Sequence, residues 1–198
     1  MKSLLYPALV AGLMGAAPAF ALTIDFEAAP AWDSVADTYA AMGVGFAGDA
    51  LAFQNDDYTT LFSNAPAGDS VMAAMGTDAA MNVAAGFTGT ASFFYSSFVD
   101  TTVGIYSGEN GTGDLLASFN LTANALSCAS DAGLCAWEEV SVAFGGVAKS
   151  IAFGQAAYDT AFDNISVSAV PEPSQAILLA LGLSVIGARS LRRRKSVN

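Results

Sequence analysis

Between Leu22 and Val170 the chain is written in short runs of alternating apolar and polar residues, each too short for an amphipathic helix. The first is Leu22-Thr23-Ile24-Asp25-Phe26-Glu27, the pattern of a half-buried strand. Similar runs recur at 43–47, 70–75, 81–87, 91–98, 102–106, 115–121, 139–144, 149–153 and 161–167. Turn-forming residues separate most of them: Asn55-Asp56-Asp57, Ala65-Pro66-Ala67-Gly68-Asp69, the stretch from Gly108 to Gly113, and Gly145-Gly146. One strand and turn in about ten residues predicts an all-β fold, a single β-sandwich. The stretch Trp32–Met42 is expected to contain one helical turn. A domain of about 150 residues is large enough to bury a core without metals or several disulfides.

Charge narrows what such a sandwich can do. Seventeen of the eighteen acids lie in residues 22–170, against a single cation, Lys149, for a net charge of −16. That field repels phosphate backbones and anionic membrane surfaces, so nucleic acid is excluded as a partner. The chain contains no histidine. Ser-His-Asp and Cys-His nucleophiles and imidazole-based zinc sites are therefore absent. No arginine lies between the two ends to clamp a phosphate. Enzyme chemistry is reduced to reactions that carboxylates can perform unaided, and the domain is read as non-catalytic.

The two ends differ from the middle and raise the mean hydropathy to +0.47. Residues 1–21 read as a signal peptide: Lys2 is the positive start, Leu4 to Ala17 the apolar run, and Ala19-Phe20-Ala21 the small-x-small cleavage site. The apolar run is short and broken by Pro7, Gly12, Gly15 and Pro18, which suits cleavage after Ala21 better than retention as an anchor. The other end begins with Val170-Pro171-Glu172-Pro173. An uncharged stretch, 175–188, follows, and then the cluster Arg189, Arg192, Arg193, Arg194 and Lys195. As a helix the uncharged stretch would be about 20 Å long, a short transmembrane span that crosses with snorkelling and local thinning. The basic cluster would hold its end in the cytoplasm and leave the domain outside.

Residues 170–195 resemble the PEP-CTERM sorting signal of Gram-negative bacteria, in the order Pro-Glu-Pro, short membrane segment, terminal arginines. The resemblance implies that Pro171, Glu172 and Pro173 are recognised by an exosortase. It further implies passage through the inner membrane and a final place at the cell surface or in the extracellular matrix, often beside exopolysaccharide and biofilm. The domains expected are thus a signal peptide (1–21), an acidic β-sandwich (22–169) and the sorting signal (170–195).

The opening Thr-Ile-Asp-Phe-Glu and the closing run 161–167 resemble the terminal strands of jelly-roll domains of the galactose-binding and carbohydrate-binding-module kind. In such folds the two strands lie together, and an acid from each helps to hold a structural Ca²⁺. Carried over, the ligands are Glu27 and Asp163, with Asp25 a weaker candidate; the alternative is a strand-end turn at Asp163-Asn164 and a solvated Glu27. Cys128 and Cys135 are the only cysteines, and in an exported domain they are expected to close a loop as a disulfide. Phe93, Phe94, Tyr95 and Phe98 read mostly as core. Trp32, Tyr39, Tyr58, Trp137 and Tyr158 sit in or beside loops, where they either pack at an edge or stack on sugar.

Three functions fit these residues. The first is a non-catalytic surface or matrix protein associated with extracellular polysaccharide. The second is a carbohydrate-binding module with a specific glycan site. The third is a glycan hydrolase built on two carboxylates.

Overall fold

The computed structural model describes residues 20–55, 60–127, 133–170 and 182–184. One compact unit runs from Ala19 to Glu172. Its described residues form nine strands: β1 (Phe20–Ile24), β2 (Val44–Ala47), β3 (Ala50–Gln54), β4 (Ser70–Ala74), β5 (Ala80–Ser97), β6 (Thr101–Tyr106), β7 (Leu115–Leu121), β8 (Glu138–Ala152) and β9 (Thr160–Ala169). The expected helical turn is the 3-10 turn Ala40–Met42. In the second unit the described residues are Gly182, Leu183 and Ser184, which are helical.

All strand pairings are antiparallel, and two long strands turn one continuous sheet into a sandwich. The first half of β5 pairs with β2 and with the end of β8, which continues to β6 and β7. The second half of β5 pairs with the start of β8 and with β9, which continues to β4 and β3. The sheet bends where the register slips, between Asn82 and Gly89. Gly86, Gly89 and Gly146 take φ values of +85°, +81° and +85° there, which side chains with a Cβ rarely adopt. This is the single jelly-roll β-sandwich the sequence predicts, with the first and last strands side by side from Phe20↔Ala169 to Ile24↔Ile165.

Three details differ from the sequence reading. Runs 81–87 and 91–98 are one strand, as are 139–144 and 149–153. Gly145-Gly146 does not reverse the chain, because β5 bends alongside it and the ladder resumes at Ala148. β3 was not expected, since Ala50-Leu51-Ala52-Phe53 carries no polar alternation.

The core fills the space between the two layers. Phe93 of β5 meets Phe119 of β7 with ring centroids 4.4 Å apart, and Phe153 and Phe162 at 6.3 and 5.3 Å. Phe26, Tyr39 and Phe46 close one end. A smaller cluster of Phe62, Val71 and Ala161 packs with Leu134 and Trp137.

Cys135 borders this second cluster, almost fully buried, and among the described residues no cysteine is free. Cys128 lies outside the described residues, so its bridge to Cys135 stands as a proposal. The expected result is an intact mass two hydrogens below the dithiol value, and about 2 kcal/mol of stability lost on reduction. An unchanged mass on reduction would remove the bridge.

Candidate functional site

Two features of the sandwich gather polar or aromatic side chains: a carboxylate pair at the junction of the first and last strands, and an aromatic cleft at a sheet end.

Glu27 follows β1 and Asp163 lies in β9. Both carboxylates hold the loop that leads into β4. Glu27 Oε1 accepts from the amides of Asp69 and Ser70 at 3.0 and 2.8 Å. Asp163 Oδ2 accepts from Ala67 N at 2.8 Å, and its Oδ1 from Asn164 N at 2.7 Å. Gly68 passes so close to the Glu27 carboxylate that a Cβ there would lie 2.2 Å from its Cδ, and its φ is +45°. Asp163 is fully buried. Burial pushes its pKa from 3.8 to about 6; two amide hydrogen bonds oppose this, while Glu27 and then Asp25 add to it. Burial likewise pushes the nearby Tyr39 hydroxyl to about 12, with Asp25 and Glu27 contributing.

The structure therefore brings together the two acids that the jelly-roll resemblance paired. The loop meets two of their oxygens with three backbone N–H groups, and Asn164 N of β9 meets a third, whereas Ca²⁺ takes six to eight oxygens. Among the described residues no three acidic side chains are grouped to hold a metal. As arranged, the two carboxylates are held in a clasp of backbone amides.

The cleft, of about 480 Å³, opens beside β3 and β4. Its floor includes Phe53, Phe62 and Met75, and its rim carries Trp32, Phe98 and Tyr158, which are 47%, 42% and 67% exposed. Local pairing sets the rim. Trp32 N donates to Ala52 O, and the Trp32 ring meets Phe53 edge-on at 5.1 Å. Tyr158 N donates to Ala74 O, and Phe98 N to Asp159 O. Trp32 and Tyr158 both adopt left-handed backbone, φ +62° and +72°. A bulky non-glycine residue there is an outlier worth about 1–3 kcal/mol, of a kind that clusters at functional sites. Polar groups at the cleft are Thr60, Asp159 and Thr160.

Of the loop aromatics picked out in the sequence, Trp32 and Tyr158 share this cleft. Tyr39 is core, and Trp137 packs on Phe62 while its Nε1 donates to Ser63 O at 2.9 Å. Of the four aromatics read mostly as core, Phe98 is the exception: β5 ends at Ser97, and the ring falls on the rim. Tyr58 lies outside the described residues. So do Ala19, Pro171, Glu172, Pro173, Arg189, Arg192, Arg193, Arg194 and Lys195, and all of 175–188 except Gly182–Ser184. Among the described residues no helix is long and apolar enough to cross a membrane. Ala21 is paired in β1 opposite Ser168, so cleavage after it would trim that strand to Leu22–Ile24.

Residues 169–195 match the PEP-CTERM protein-sorting motif. The motif marks an exported protein that an exosortase sorts at the membrane. No curated protein sequence matches the chain. Among solved structures it is similar to a glycoside hydrolase family 43 arabinoxylan arabinofuranohydrolase from Bacillus subtilis in complex with cellotetraose, with 17% identity and a TM-score of 0.43. That match covers 63% of this chain and 26% of the hydrolase, so the chain spans about a quarter of that protein's length. A family 6 carbohydrate-binding module from Clostridium stercorarium in complex with cellobiose aligns at 14% identity and a TM-score of 0.43, covering 75% of this chain and 93% of the module. The xylan-binding domain of Xyn10C from Paenibacillus barcinonensis aligns at 12% and 0.39, covering 80% and 99%.

Proposed function

We propose that the chain is a non-catalytic glycan-binding protein of the cell surface or extracellular matrix, whose aromatic cleft stacks on the sugar rings of extracellular polysaccharide. The supporting observation is the pair Trp32 and Tyr158, exposed across one cleft in a backbone conformation that costs stability. Flat apolar faces with polar tips suit a sugar ring, whose own faces are apolar and whose rim is hydroxylated. Asp159 and Thr60 line the cleft and supply a carboxylate acceptor and a hydroxyl. The net charge of −16 on residues 22–170 favours neutral chains over uronates. A hydrolase reading draws no support from the Glu27–Asp163 pair, because a fully buried carboxylate locked by amides cannot reach a glycosidic bond.

The full chain in detergent is expected to be retarded in native gels cast with soluble neutral polysaccharides: hydroxyethylcellulose, galactomannan, arabinoxylan and dextran. Trp32→Ala and Tyr158→Ala should each weaken retention by the bound polymer about tenfold, while the fold stays intact by circular dichroism. Retention that neither change alters would overturn the cleft as a binding site.

A further inference from the structure

We propose a second glycan site on the solvent face of β6, β7 and the end of β8, shaped for an uncharged, hydroxyl-rich polysaccharide chain. A groove of about 320 Å³ crosses this face and shares no residue with the aromatic cleft. Alternation along β6 sends Val103 and Ile105 into the core, leaving Thr102, Gly104 and Tyr106 on the outer face. Gly104 lies opposite Ser118 on one neighbour and Ala152 on the other, so three small residues leave room on the face for a ring. The Tyr106 ring lies across Gly104: a Cβ at that position would be 2.5 Å from ring Cε2. An aromatic ring thereby lines the groove.

Both ends of the groove are fixed before any ligand arrives. The 108–112 loop is held by Gly108 N donating to Thr112 O and Gly111 N to Ser150 Oγ, while Ser150 Oγ donates to Gly108 O. Asn82 Nδ2 donates to Asn110 Oδ1, and Asn110 N to Asn82 Oδ1. At the other end Thr101 Oγ1 donates to Gln155 O, and Gly154 fits against Thr77 O, where a Cβ would sit 1.9 Å away.

The lining chemistry selects the ligand. Hydroxyls come from Thr77, Thr102, Ser118 and Tyr106, and amides from Asn110 and Gln155. No carboxylate or amine lines the groove, although residues 22–170 carry a net −16 and the hollow near Val44 is lined by Asp37 and Glu109. Groups that both donate and accept, beside one aromatic face, match a neutral sugar and offer nothing to bind a charged one. Two sites on different faces would let one molecule hold two polysaccharide strands, or one strand with added avidity.

The ligand class rests on the glycan-binding reading above, but the two sites can fail separately. The same gels, cast with the four neutral polymers or with polygalacturonate, serve as the test. Ser118→Trp, which fills the groove from an exposed position, and Tyr106→Ala, which removes the ring, should each weaken retention by a neutral polymer about tenfold. Trp32→Ala combined with Ser118→Trp should abolish retention, and polygalacturonate should give none. If Ser118→Trp and Tyr106→Ala bind like the parent while Trp32→Ala does not, the groove is refuted and the cleft stands. If only the groove variants matter, the cleft fails and the groove stands. If no neutral polymer retards the parent chain, both readings fall.

Discussion

Replacing Phe93 by alanine is expected to cost about 4 kcal/mol of stability, within the usual range for a buried aromatic. The ring is fully buried in β5 and touches both layers, with Phe119 on the facing sheet and Phe162 and Phe153 beside it. Truncation leaves a hollow between two sheets whose strands are held by their ladders, so the walls cannot close on it. In a domain of this size the melting temperature should fall by about 10 °C. Phe98→Ala, at the cleft rim, should change stability by less than about 0.5 kcal/mol. Urea unfolding of both variants checks the contrast. A loss below about 1 kcal/mol for Phe93→Ala would mean that the layers do not meet at this ring.

The second large effect concerns Asp163. Its pKa is about 6 in the folded chain against 3.8 for an ordinary aspartate, so between those values the folded state holds the proton more tightly than the unfolded one. This contribution to stability is fully present below about pH 4 and is lost as pH rises through about 6, a swing of about 3 kcal/mol. Asp163→Asn cannot ionise, and should flatten that part of the pH profile. Its side-chain carbonyl can still accept from Ala67 N, but the Asn164 N–H loses its acceptor at a cost of about 1 kcal/mol. In chelator at pH 7.5 the variant is therefore expected to be more stable by about 2 kcal/mol. Calcium tests the other reading of the pair. A melting temperature that rises with Ca²⁺ in the parent chain but not in Asp163→Asn would place the ion there, and two flat responses would leave an amide clasp alone.

The strands were legible wherever one face is core and the other solvent, as in Thr101–Tyr106 with Val103 and Ile105 inward. Ala50–Gln54 escaped because its small residues do not alternate, and it is recognised only by its pairing with Ser70–Ala74. Gly145-Gly146 misled, because a glycine that bends a strand and one that reverses it read alike until the partner strand is known. The Glu27–Asp163 pairing was visible through the jelly-roll resemblance. The loop that caps it was not, since backbone amides leave no mark on sequence. Trp32 and Tyr158 could be picked out singly as loop aromatics. Their meeting across one cleft depends on β3 and β4 lying side by side, 126 positions of sequence notwithstanding.

β9 lies against β5 along its length and against β4 and β1 on its other side. Among the described strands it is also the last to be made, and its final residue, Ala169, is the first residue of the sorting motif. Thr23 must wait 143 residues for Ser166, the hydroxyl it pairs with. Contacts so distant in sequence form slowly, and loop closure opposes them until the chain is whole. A nascent chain without β9 has three strands with an empty flank and no way to close its core. The domain therefore stays open until Ala169 is made, and the residue that completes the sandwich is the one at which its sorting motif begins.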